Sequence, residues 1–190
     1  MIDIFAAKTN EVLEQTKNMA LKETSYSEAS IKVLKGLEPV RQRPGMYTRT
    51  ENPLHIITEV IDNASDEAIG GYCKNINVTL NADGSVSVED DGRGIPVGMH
   101  PEEKVPTFEI VFTRLHSGGK FTKGGDNAYA FSGGLHGVGV SVTNALSKRI
   151  EVTVWREKEV HQIAFTDGEV TEPLTSRPIA RGEKKSGTKV

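Results

Sequence analysis

Cysteine is nearly absent from this chain of 190 residues: the single Cys73 cannot form an internal disulfide, and no Cys/His cluster has the spacing of a zinc site. Scaffolds stapled by disulfides or zinc are thereby excluded, and a reducing, cytoplasmic setting is expected. Long apolar runs are missing too. No stretch approaches the roughly 18 consecutive apolar residues of a membrane-spanning helix, and the start, Met1-Ile2-Asp3-Ile4-Phe5, lacks a basic segment followed by an apolar one. Neither export nor membrane association is expected. Net charge is small as well: 23 Lys and Arg against 26 Asp and Glu give −3. Such a balance creates no overall field that would draw the chain to nucleic acid or anionic lipid, so any DNA contact is expected to lie mostly elsewhere.

What is present suffices for one globular core, with 36% hydrophobic residues. Residues 1–29 read as an arm, because Val12, Leu13, Met19 and Leu21 are too sparse for a core helix. Residues 30–190 read as the folded domain, opening with Ile31, Val33, Leu34, Leu37 and Val40 and then the turn Arg43-Pro44-Gly45-Met46. Ile57, Val60, Ile61, Ala64 and Ala68 recur at helical spacing, which predicts an amphipathic helix over Leu54 to Ala68 stopped by Gly70-Gly71. Period-two alternation predicts strands at Ile76 to Leu80 and Val86 to Val88, joined by a tight turn, and another at Ile150 to Trp155. A second helix is predicted from Gly139 to about Ser147.

Chemistry-bearing residues gather in three places. On the first helix, Glu59, Asp62, Asn63 and Asp66 share a face opposite the apolar stripe. Such a face is equally the mark of an ordinary solvated helix. With Asn63 four residues after Glu59 and His55 four before it, a carboxylate could activate water, an amide oxygen could ligate Mg²⁺, and an imidazole could orient the base. The second place is Asp90-Asp91-Gly92-Arg93-Gly94-Ile95-Pro96. It reads as a stiff turn, or as a purine reader in which Asp90 accepts an exocyclic amine, Ile95 and Pro96 form an apolar wall, and Gly94 admits close approach of the ring. The third is glycine-rich: eleven of nineteen glycines fall between Gly92 and Gly139. Glycines that lead into a helix N-terminus suit a polyphosphate, although a mobile surface loop ending in an ordinary cap has the same composition.

Two common phosphate loops do not fit this stretch. Gly134 and Gly139 have P-loop spacing, but Val140-Ser141 stands where Lys and then Ser or Thr are required. A dinucleotide fingerprint would need Gly where Val142 stands, after a strand that is missing.

Taken in order, the Glu59/Asn63 helix, the Asp90 turn and the glycine stretch resemble the GHKL ATPases. Within them, Ser30 to Arg41, Arg43-Pro44-Gly45-Met46-Tyr47, Glu59 to Asn63, Leu115-His116-Ser117-Gly118-Gly119-Lys120-Phe121 and Ser132 to Asn144 are similar to the B-type subunits of bacterial type II topoisomerases. Arg114 before Leu115 and Phe131 before Ser132 look more like the topoisomerase IV members than the gyrase members. A histidine kinase or chaperone branch is disfavoured by the Arg43 to Tyr47 motif; a clamp without hydrolysis is disfavoured by Glu59 for the parent protein but stays open for these 190 residues alone.

The resemblance implies an α+β fold, a two-layer α/β sandwich in which a mixed sheet is backed by helices. It implies that ATP and Mg²⁺ bind, with Glu59 as general base, His55 as its orienting partner, Asn63 as metal ligand and Asp90 as adenine reader supported by Thr188. Gly133, Gly134, Leu135, His136, Gly137, Val138 and Gly139 would wrap the phosphates, and Lys120 would sit in the lid, where Lys123 to Ala128 looks a few residues longer than usual. Arg93 would pair with Glu67 over the purine rim, Arg156 would stand at the pocket mouth reached by competitive ATP-site inhibitors, and Tyr26 would cross to a partner subunit's nucleotide. Further implied are homodimerisation on ATP, a heterotetramer with the topoisomerase IV A subunit or gyrase A subunit, and DNA handled by the full-length enzyme. The family's next domain, which carries a lysine for the γ-phosphate, is expected to lie beyond Val190, so nucleotide binding and turnover are expected to separate.

Overall fold

A computed structural model describes residues 28–117 and 137–190. The chain divides after Leu34, and the fold is that of residues 35–190. Its first helix, α1 (Glu38–Gln42), begins with Pro39 in the first turn, where a fixed φ favours the helix and a missing N–H costs nothing. It ends before Pro44, which disfavours helical backbone at Arg43 and opens a short 3-10 turn, Pro44–Met46. Helix α2 (His55–Ile69) follows within a residue of its predicted limits. Its stripe of Ile57, Val60, Ile61 and Ala64 lies on Val88 of the hairpin β1 (Ile76–Leu80) and β2 (Val86–Asp90). Ala68, placed on the same stripe from its spacing, is instead exposed, because the contact with the sheet ends a turn earlier.

After α3 (Thr107–Thr113) and α4 (Gly139–Leu146) the chain forms β3 (Arg149–Arg156), β4 (Glu159–Thr166), β5 (Glu169–Pro178) and β6 (Gly187–Lys189). The sheet order is β1-β2-β6-β3-β4-β5. Helices lie on the face bearing Ile150, Val152, Val154, Ile163 and Phe165, so the expected two-layer sandwich is what forms. All strand pairings among the described residues are antiparallel. The described sheet is therefore antiparallel and not mixed as expected, because β6 lies between β2 and β3, which run the same way, and opposes both.

Beneath the sheet sits the main core, Phe108, Phe112, Ile150, Val152, Val154, Ile163 and Phe165. Phe112 meets Phe108 edge-on at 6.0 Å and stacks on Phe165 at 5.4 Å. A second cluster joins Leu37 and Val40 to Val142 and Ala145 of α4. Ile31 and Val33, grouped with these two by sequence, are 58% and 77% exposed.

Helix α4 is enclosed on every side, with Ser141, Val142, Thr143, Asn144 and Ala145 all buried. Its polar side chains are satisfied by neighbouring backbone: Thr143 Oγ1 donates to Ile56 O at 2.8 Å, and Asn144 Nδ2 to Phe112 O at 3.0 Å and Gly168 O at 3.1 Å. These bonds tie α4 to the first turn of α2, the end of α3 and the β4–β5 turn.

Phe112 is fully buried and stands between two other rings. Phe112→Ala should therefore destabilise the domain by about 3–5 kcal/mol, read from the midpoint of urea unfolding at unchanged slope.

Candidate functional site

The sequence singles out α2, and its side chains arrange themselves more regularly than the acidic face suggests. His55, Glu59, Asn63 and Glu67 follow at intervals of four and form one stripe along the helix. Asp62 is exposed, as a solvated face would have it, whereas Asp66 is 1% exposed and belongs to the interior. The solvated reading of that face thus holds for Asp62 alone.

At the start of the stripe, His55 Nδ1 lies 4.0 Å from Glu59 Oε1 and 2.8 Å from Thr48 Oγ1. One turn on, Asn63 Nδ2 donates to Glu59 O at 2.7 Å, so any metal contact by this side chain falls to its amide oxygen. Among the described residues no group of three or more His, Cys, Asp or Glu could hold a metal ion. A single neutral oxygen fits Mg²⁺ that brings most of its ligands with it as phosphate oxygens and water.

Facing this turn is the first residue of α4. A Cβ at Gly139 would collide with Glu59 Oε2, so any side chain there would push the carboxylate aside. The glycine-rich stretch returns here: Ser117 N donates to Gly137 O at 3.2 Å, bringing its two described ends together. Val138 packs beside the Leu37 cluster. Lys120, Gly133, Gly134, Leu135 and His136, like Tyr26, lie outside the described residues.

At the other end of the stripe Glu67 grips Arg93. Arg93 Nε and Nη2 donate to the two carboxylate oxygens at 3.1 and 2.7 Å, and the Arg93 backbone N–H adds a third bond at 2.9 Å. The guanidinium also lies 3.5 Å over the ring of Tyr72, a partner the sequence did not suggest. The expected pairing of Arg93 with Glu67 is present.

The adjacent carboxylates Asp90 and Asp91 have opposite fates. Asp91 accepts from Asn75 N, Asn75 Nδ2 and Lys74 N, which hold its carboxyl well below the usual range and make it an anchor for the loop before β1. Asp90 is buried, and burial pushes its carboxyl up against the opposing pull of N–H donors from Gly92 and Thr188. Those donors meet Oδ1 at 2.8 and 3.3 Å. Oδ2 of Asp90 and Oγ1 of Thr188 have no hydrogen-bond partner among the described residues. An acceptor held on one oxygen and open on the other is what an exocyclic amine requires.

Gly94 has a structural reason of its own to be glycine, apart from the expected approach of a purine ring. Its φ is +76°, and a Cβ would stand 2.9 Å from Val154 Cγ1 and 3.0 Å from Trp155 O, so the turn must lie directly on β3. Ile95 packs on the main core, while Pro96 is exposed. Arg156 Nη1 donates to Gly94 O at 2.8 Å. With Tyr72, Gly92, Arg93, Glu157 and Ser186 it borders a shallow depression of about 380 Å³ beside the Asp90 turn.

The family described as histidine kinase-, DNA gyrase B- and HSP90-like ATPase matches residues 49–189. The B subunit of DNA topoisomerase 4 from Salmonella typhimurium is 54% identical over 166 residues, covering 87% of this chain and 26% of that protein. The B subunit of DNA gyrase from Thermus thermophilus is 55% identical over 170 residues with the same coverage, so identity does not separate the two kinds. The chain spans about a quarter of the length of these curated relatives. Among solved structures, the topoisomerase IV ATP-binding domain of Francisella tularensis, in complex with a small-molecule inhibitor, is 47% identical with a TM-score of 0.67. It covers 84% of this chain and 72% of that one. The 43K ATPase domain of Thermus thermophilus gyrase B, in complex with an aminocoumarin, has the same TM-score at 48% identity, covering 82% and 38%.

Native Asp90 holds its proton more tightly than the unfolded chain does, so its contribution to stability is full below the unfolded pKa and is lost as pH rises through the native one. Asp90→Asn abolishes that loss. The stability of the variant relative to the parent should therefore increase with pH across that interval, as measured by denaturant unfolding at a series of pH values.

Proposed function

We propose that this chain, which belongs to the histidine kinase-, DNA gyrase B- and HSP90-like ATPase family, is the ATP-binding and ATP-hydrolysing domain of the B-type component of a bacterial type II DNA topoisomerase. The observation that carries the reading is Asp90, a buried carboxylate fixed through Oδ1 by two backbone donors with Oδ2 left to recognise a base. Glu59, set against the glycine that opens α4, supports hydrolysis as well as binding.

Each residue then has a task. Asp90 accepts the adenine amine, and the Thr188 hydroxyl lies beside it for a second contact. Ile95 and Pro96 offer the apolar wall, and Arg93, held by Glu67 and Tyr72, closes the rim. Backbone N–H groups from Gly137 to Gly139, at the positive end of α4, meet phosphate. Asn63 Oδ1 would hold Mg²⁺, which supplies charge neutralisation at the phosphates. Glu59 takes a proton from the attacking water, with His55 beside it. Gly133 to His136 and Lys120 would complete the phosphate cradle, and Tyr26 would reach a second subunit.

In the whole protein, ATP-driven pairing of two such domains would gate the passage of DNA, in a heterotetramer with an A-type component. We assign the chain to the topoisomerase IV kind on Arg114 before Leu115 and Phe131 before Ser132, with gyrase B as the alternative that supercoiling by the reconstituted enzyme would establish. The solved relatives carry an aminocoumarin and a small-molecule inhibitor, and the depression at Arg156 would take ligands of that kind in competition with ATP.

Two variants test the division of labour. Asp90→Ala removes a charge-assisted hydrogen bond and should weaken ATP at least tenfold, or about 1.5–3 kcal/mol, by calorimetry; unchanged affinity would remove Asp90 as the base reader. Glu59→Ala in the full-length protein should lower turnover roughly 10²–10⁴-fold with ATP affinity within a few-fold. A matched fall in both quantities would make Glu59 a nucleotide-positioning group instead.

A further inference from the structure

The Arg43 to Tyr47 turn has no task in the nucleotide chemistry, yet its geometry leads directly to the base. Pro44 O accepts from Tyr47 N at 2.9 Å and Thr48 N at 3.0 Å, while Met46 N donates to Arg43 O at 3.0 Å. Tyr47 packs on the cluster of Leu37, Val40, Val142 and Ala145. Thr48 is thus fixed at the end of a turn seated on α1 and α4. Its hydroxyl is 2.8 Å from His55 Nδ1, whereas Glu59 Oε1 is 4.0 Å from the same nitrogen. At these distances the hydrogen bond belongs to the hydroxyl and not to the carboxylate.

We propose that Thr48 is a positioning residue for hydrolysis, which by holding Nδ1 of His55 keeps the imidazole beside Glu59 without letting it close onto the carboxylate. Whichever of the two atoms donates, the bond occupies the ring nitrogen that stands nearest Glu59. Without it, the ring can close the 4.0 Å contact into a direct N–H···O bond. The lone pair so engaged is no longer available to the attacking water, and the carboxylate turns toward the ring and away from the start of α4. The Arg43 to Tyr47 motif then serves the reaction at one remove: it anchors the threonine that sets the histidine that flanks the base. This inference rests on the reading of Glu59 as general base.

In the full-length protein, Thr48→Val should lower kcat roughly three- to tenfold, the scale of one hydrogen bond. KM and the affinity for a non-hydrolysable ATP analogue should not change, and Thr48→Ser should restore turnover. The deciding measurement is a double-mutant cycle with His55→Ala. If Thr48 acts through His55, Thr48→Val costs nothing further in the His55→Ala background. An equal loss in both backgrounds, or an unchanged kcat in a Thr48→Val protein that melts like the parent, overturns the proposal. Should Thr48→Val unfold the domain, Thr48→Ala carries the same cycle. Glu59→Ala in the same assay separates the two failures: turnover that survives it overturns the role of Glu59, and turnover lost there but intact in Thr48→Val overturns Thr48 alone.

Discussion

The close approach of α4 to α2 is the constraint on which the rest of the site depends. Gly139 stands so near Glu59 that a Cβ there would displace the carboxylate, and the positive end of one helix thus meets the carboxylate of another. Such an approach holds only if α4 is fixed in depth and rotation. Its apolar residues Val142 and Ala145 meet Leu37 and Val40, and Thr143 and Asn144 spend their donors on the backbones of α2, α3 and the β4–β5 turn. Buried hydroxyls and amides satisfied in this way specify one placement of the helix, where an all-apolar surface would tolerate sliding.

The opposite end of the site rests on a cost. Asp90 is taken out of water, and two backbone donors offset only part of the loss, so its carboxyl is pushed upward. A protein selected for stability alone would place a neutral group there. The surroundings show how the charge is held: Gly92 and Thr188 both donate to Oδ1. Lys184 braces the same strand end through Glu89 Oε1 and Asp90 O at 2.9 and 2.6 Å. The remaining deficit is one that a donor on a ligand relieves.

Sequence patterns carried some of this and not the rest, for identifiable reasons. Helix α2 and strand β1 were legible because their burial is one-sided, and one-sided burial writes its period into the chain. The Asp90 turn was legible through its glycines and proline. By contrast β4 and β5 escaped, although Asp167-Gly168, with φ of +48° and +78°, is the type of pair that makes a tight hairpin and offered a signal. Strand β6 has three residues and owes its existence to the gap between β2 and β3, which no local pattern records. Helix α3 carries Phe108, Ile110 and Phe112 in a run too short for helical period to be distinguished from strand alternation. Asp66 looked solvated because composition gives a residue's chemistry but not its neighbours, and it is interior; for the same reason the packing of Gly94 against Val154 left no mark in the sequence. Thr48 could be found only in three dimensions, since nothing in a threonine seven residues before a histidine announces a bond.

The stripe on α2 ties the two ends of the site together. Glu67, which holds the rim, and Glu59, which faces α4, are eight residues apart on one helix, or about 12 Å along its axis. Because both project from the same rigid rod, the distance between the groups proposed for base recognition and for hydrolysis is set by helical rise and not by loop conformation. The sheet fixes one end through Asp90 and Thr188, the Arg43 to Thr48 turn fixes the other through His55, and α2 spans the interval. On the proposed reading, a nucleotide that fits one end is thereby registered at the other. The two ends of the glycine-rich stretch, Ser117 and Gly137, meet at the start of α4, whose first residue stands against Glu59.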